Sequence, residues 1–162
     1  MKKLILLIFT TLFALNLPPY FSATFTQKIY SNNKTLTYKG EVYTNSKEIF
    51  WKYTYPEEKY IWIKDKVYIY EPNLLQLTIT KKSKINLFNV IKQATQIDKN
   101  KYVAQIDNKQ VYFIFDKTLK KTWYKDDLGN KVVFIFKNQS NKKINNAIFI
   151  PTYPKEVDII YN

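Results

Sequence analysis

Glu48-Ile49-Phe50-Trp51-Lys52-Tyr53-Thr54-Tyr55 carries the alternation of a β-strand. Ile49, Trp51, Tyr53 and Tyr55 fall on one parity; Glu48, Lys52 and Thr54 fall on the other, with Phe50 as the exception. Successive side chains of a strand point to opposite faces, so the first group shares one face. Asn45-Ser46-Lys47 precedes the stretch and Pro56-Glu57-Glu58 follows it, and both are turn-forming.

Working outward, Tyr, Ile, Val, Trp and Thr dominate from Thr35 to Thr80 in short runs separated by turn residues. The runs predict strands near Thr35–Thr44, Glu48–Tyr55, Lys59–Ile63, Val67–Tyr70 and Leu75–Thr80. The breaks between them are hairpin-sized, so neighbours should be antiparallel. The pattern resumes at Lys101–Ile106, Gln110–Phe115, Leu119–Lys125 and Lys131–Lys137, with a last short strand near Val157–Tyr161.

Two segments read as short helices. Pro18-Pro19 suits a helix entry, and Phe21, Phe25 and Ile29 then recur at four-residue spacing, one stripe of an amphipathic helix. Asn86 can cap a second helix on which Leu87, Phe88 and Ile91 share a face. These strands and two helices in one chain predict a mainly β fold, an unclosed antiparallel barrel or strongly curved sheet. The helices would form a lid over its concave face.

Lys2 and Lys3 precede an uncharged run from Leu4 to Leu15. A basic start, a short apolar run and a small residue at Ala14 are the marks of a secretory signal peptide. The run is shorter than the roughly 20 residues of a membrane span. We expect residues 1–14 to be a signal peptide and residues 15–162 a single exported domain, periplasmic in a Gram-negative cell.

Composition excludes much chemistry. The chain has 162 residues, no Cys, no His and only two glycines, Gly40 and Gly129. Disulfides, thiolate or imidazole catalysis and Gly-rich phosphate loops are therefore absent. Carboxylate pairs such as Glu57-Glu58 and Asp126-Asp127 sit in predicted turns, so no catalytic residue, cofactor or metal ligand is expected. The net charge is +13, and every cation is lysine. Lysine strands with interleaved rings could suit single-stranded nucleic acid. The lack of Arg argues against that partner, as does the export signal.

Aromatic residues make up 17% of the chain, enough either to fill a core or to line a cavity. On the cavity reading, Ile49, Trp51, Tyr53, Trp62, Tyr68 and Tyr70 form the wall, with Phe21, Phe25, Phe88 and Ile91 lining the lid. An exported β-rich module binding another amphiphile or an envelope polymer is the alternative.

Several stretches together resemble the LolA family of outer-membrane lipoprotein carriers. Phe21-Ser22-Ala23-Thr24-Phe25-Thr26-Gln27 matches its F-x-x-x-F-x-Q pattern, and Gly40 matches the glycine with which the family's next strand starts. Trp51-Lys52-Tyr53-Thr54-Tyr55-Pro56 matches W-x-Y-x-x-P, and Tyr68-Ile69-Tyr70-Glu71-Pro72-Asn73-Leu74-Leu75-Gln76 resembles the signature that follows. Asp127-Leu128-Gly129-Asn130, Phe149-Ile150-Pro151 and Val157-Asp158-Ile159-Ile160 resemble the closing stretches. Asn45-Ser46-Lys47 stands where the family has Arg-Pro, Lys64-Asp65-Lys66 lacks its hairpin glycine, and Lys81–Gln110 matches poorly. The missing Arg is implicated in latching the lid in some members.

The resemblance implies a monomeric periplasmic chaperone, not an enzyme, that holds lipoprotein acyl chains in an apolar cavity. Its implied partners are acylated lipoproteins and an inner-membrane Lol ABC transporter as donor, with a receptor at the outer membrane as a further candidate. Three acyl chains carry on the order of 45 methylenes, so full exposure to water would cost ~35 kcal/mol. Non-covalent affinity saturates near about −20 kcal/mol, so a carrier that must also release should shield its cargo only in part.

Overall fold

The computed structural model describes residues 18–81, 87–106 and 108–162, with residues 87–89 described as backbone only. The expected signal peptide, the Asn86 cap and the Phe88 side chain lie outside the described residues. Those described form one twelve-stranded, open sheet in the order β12-β6-β5-β4-β3-β2-β1-β11-β10-β9-β8-β7. The strands are β1 (Phe21–Ser31), β2 (Lys34–Thr44), β3 (Ile49–Tyr55), β4 (Lys59–Ile63), β5 (Lys66–Glu71) and β6 (Gln76–Lys81) in the first half. The second half comprises α1 (Leu87–Lys92), β7 (Thr95–Asp98), β8 (Lys101–Ile106), β9 (Lys109–Asp116), β10 (Thr118–Lys125), β11 (Lys131–Ser140) and β12 (Asp158–Tyr161).

Every pairing is antiparallel except β12 with β6, which is parallel; the antiparallel pairs are hairpins save β1 with β11, which joins the two halves of the chain. A parallel neighbour requires a crossover. Here the chain after β11 provides it, passing through a 3-10 turn at Asn146–Phe149. The Tyr55–Pro56 peptide between β3 and β4 is cis. In the β10–β11 turn, Gly129 takes a φ of 80°, and the Asp126 carboxylate accepts hydrogen bonds from the Leu128 and Asn130 backbone N–H groups. Those bonds, the Asn130 side-chain amide foremost, hold the Asp126 carboxyl below the usual carboxylate range.

The expected N-terminal helix is instead strand β1. A spacing of four residues is a multiple of the strand period as well as close to the helical one, so Phe21, Phe25 and Ile29 share a face in either conformation. Ala23 separates the two: it lies off the helical stripe, yet it is buried on the same face as Phe21 and Phe25. Ser22, Thr24 and Thr26 take the opposite side, and the two β-branched threonines favour the strand. Phe21 and Phe25 therefore belong to the sheet and not to a lid. Strand β7, not foreseen, is an exposed edge paired to β8.

Each face of the sheet carries its own core. On the inner face, Phe21, Phe25, Val42, Ile49, Phe113 and Phe136 cluster with Val90, Ile91 and Ala94 of the α1 region. On the outer face, Phe50, Trp62, Tyr70, Leu77 and Ile79 pack with Phe149 and Val157 of the C-terminal segment.

Candidate functional site

The sheet curls around its inner face. Strands β3 and β11 are separated by β2 and β1, three steps of about 4.8 Å in a flat sheet. Even so, the Trp51 and Phe134 ring centroids lie 5.5 Å apart. Phe25 stands between them, edge-on to Trp51 at 5.1 Å and to Tyr53 at 5.0 Å. Edge-to-face contacts at these distances add to the burial energy of the rings.

Beside this ring cluster lies a hollow of about 280 Å³, lined by Trp51, Ile106, Lys109, Val111, Thr122, Tyr124, Phe134 and Phe136. Its walls come from β3 and from β8 to β11, which only a curled sheet can bring together. A second hollow of about 690 Å³ shares Lys109 and Tyr124 with it at the strand ends, and much of the rest of its lining, Gln105, Gln110, Tyr112, Trp123, Lys125 and Lys131, belongs to the outer face. The apolar hollow thus has a polar neighbour at its rim. A third space of about 450 Å³ lies on the other side of Tyr53, among Gln27, Tyr38, Glu57, Glu58 and Glu71.

Of the residues expected to form the wall, Ile49, Trp51 and Tyr53 come together with Phe21 and Phe25 on the inner face. Ile91 of α1 is fully buried against the same face. Trp62, Tyr68 and Tyr70 do not join them. Register pairs Phe50 with Trp62 and Trp62 with Tyr68, so these rings share the outer face with Phe50. The Trp62 indole Nε1–H donates to the Ile148 carbonyl at 3.1 Å, and Tyr153 packs on Tyr70. The C-terminal segment therefore covers Trp62 and Tyr70, and the sheet itself stands between them and the hollow. Phe134, Phe136, Val111 and Ile106 line it and were missed, although period 2 along Lys131–Lys137 already puts Val132, Phe134 and Phe136 on one side.

The Tyr53 hydroxyl donates to Gln27 Oε1 at 3.1 Å. Burial is the main cause that pushes this phenol well above its ordinary range, with Tyr124 and Tyr38 adding to the shift. A group raised on folding ionises first in the unfolded chain. Its stabilisation is complete below about pH 10, the unfolded phenol value, and is lost as pH rises beyond it. Tyr53→Phe is expected to make Tm fall less steeply than the parent's above about pH 10. Parallel Tm–pH curves for the two proteins would contradict this.

The geometry is that of a small curled-sheet protein built around an apolar hollow. No protein-family model matches the chain. It is 36% identical over 168 aligned residues to the outer-membrane lipoprotein carrier protein of Campylobacter jejuni, covering 99% of both chains. To the protein of the same description from Helicobacter pylori strain J99 it is 37% identical, over 86% of this chain and 77% of that one. The chain belongs to the outer-membrane lipoprotein carrier protein family. Among solved structures, an uncharacterized conserved protein from Thermus thermophilus shares the fold, with a TM-score of 0.58, 14% identity and coverage of 90% and 92%.

Proposed function

We propose that the inner-face hollow receives acyl chains of lipoproteins and that the protein carries them across the periplasm from the inner membrane toward the outer membrane. The reading rests above all on the hollow between Trp51, Phe134 and Phe136, whose lining is almost wholly apolar. Residues 1–14 would serve as the signal peptide removed on export. An inner-membrane Lol ABC transporter would supply the cargo, and a receptor at the outer membrane would accept it.

Size bears on how this works. At about 30 Å³ for a group the size of water, a hollow of about 280 Å³ takes roughly nine methylenes. Burying them is worth ~7 kcal/mol, a small part of the ~35 kcal/mol carried by three chains. The hollow as it stands therefore grips one end of one chain and leaves the rest partly shielded. Further shielding requires the sheet or the α1 region to move apart. A weak, partial grip suits a carrier that must also release. The polar neighbour at Gln105, Asn108 and Lys109 gives the cargo's head end a place in water.

Trp51→Glu puts a carboxylate into the apolar wall, where desolvation opposes it. We expect at least about tenfold weaker co-purification with a triacylated lipoprotein per folded molecule, with the β circular-dichroism spectrum kept and Tm lowered by the lost ring packing. Full uptake by the variant would count against the hollow as the acyl site. In the native host, depletion of the protein should leave lipoproteins at the inner membrane.

A further inference from the structure

We propose that the outer face of β1, β8, β9, β10 and β11 is a docking surface for an anionic lipid bilayer. The C-terminal segment covers the outer face only over the Phe50, Trp62, Tyr70 and Leu77 half of the sheet. The other half is open and basic. Strand alternation and register place Lys28, Lys101, Lys121, Lys125, Lys131 and Lys137 on it. Asp116 is the acid that alternation adds to this face. Among the described residues, none of these six lysines is in an ion pair.

At the centre of the face, Tyr112 and Trp123 stack at 5.2 Å with an interplanar angle of 9°. Lys101 Nζ sits 5.3 Å and 5.5 Å from the two ring centroids, and Lys121 Nζ sits 5.4 Å from that of Trp123. The Trp123 indole N–H has no hydrogen-bond partner among the described residues. Paired amphipathic rings ringed by ammonium groups combine an interfacial anchor with attraction to lipid phosphates.

The chemistry favours a bilayer over an acidic protein. Lysine is a compact, hydrated point charge without the planar fork that selects fixed carboxylates, and this chain has no arginine. Point charges spread over a broad sheet face match headgroups that move laterally to meet them. The inference stands on this charge pattern and does not depend on the cargo.

The test is sedimentation of the purified protein with phosphatidylglycerol/phosphatidylcholine vesicles against pure phosphatidylcholine vesicles. Binding is expected to the first and not to the second. Each lysine near an anionic surface is worth about fivefold, so combined Lys101→Gln, Lys121→Gln and Lys131→Gln should weaken binding roughly a hundredfold. Combined Lys47→Gln, Lys142→Gln and Lys155→Gln removes the same charge from exposed sites elsewhere and should cost far less. Equal losses in the two triple variants would assign the effect to net charge and overturn the proposal. So would retention on polyglutamate beads without vesicle binding, which would assign the face to an acidic protein.

Discussion

Gly40→Ala is expected to lower stability by about 3 kcal/mol, at the upper end of what overpacking costs. A Cβ at Gly40 would clash with the Lys52 carbonyl oxygen and lie 2.8 Å from the Phe25 ring. The oxygen is β3 backbone and cannot swing aside without opening the β2–β3 ladder. The ring is held between Trp51 and Tyr53. Gly40 pairs with Phe25 on one side and with Tyr53 on the other, so the absent side chain is the space that Phe25 fills. An aromatic ring laid over a strand glycine is a known way of using that gap. Urea unfolding measures the loss, and a drop below about 1 kcal/mol would mean that the register irregularity at Lys39/Gly40 absorbs the added methyl.

Phe149→Ala should cost about 3–5 kcal/mol, the range for truncating a fully buried Phe. Phe149 is 1% exposed and sits against Phe50, Trp62 and Leu77 on the outer face. Its removal loosens the segment whose Ile148 carbonyl accepts the Trp62 N–H, and exposes the rings beneath. Because this core faces away from the hollow, the folded fraction of the variant should take up lipoprotein like the parent. Trp51→Glu differs in the folded fraction: it too lowers stability, but its folded molecules lose uptake. If Phe149→Ala impairs uptake per folded molecule as strongly as Trp51→Glu, the two faces do not divide the work as described.

The hairpin strands were legible because each carries its own alternation and ends at its own turn residues. Strand β3 shows both the reach and the limit of that reasoning. Its parity correctly set Ile49, Trp51 and Tyr53 on one face. Phe50, noted as an exception, was the sign that the other face is buried as well. Without register, parity within β4 and β5 cannot be tied to parity in β3, so Trp62, Tyr68 and Tyr70 were placed on the wrong side. Strand β1 was lost to an ambiguity of number, since a four-residue repeat fits both a helix and a strand. The neighbours β2 and β11, pairing along its length, decide between them.

The amino-acid order alone determined a basic, cysteine-free chain of antiparallel hairpins and the stretches that mark its family. These are local properties, set by backbone geometry and by side chains a few residues apart. Only the tertiary structure decided which ring faces the hollow, that the C-terminal segment seals the outer face, and that walls from β3 and β8 to β11 meet. Those outcomes depend on sheet curl and on register between strands distant in the chain, and a shift of one residue in pairing would turn every side chain of a strand to the opposite face.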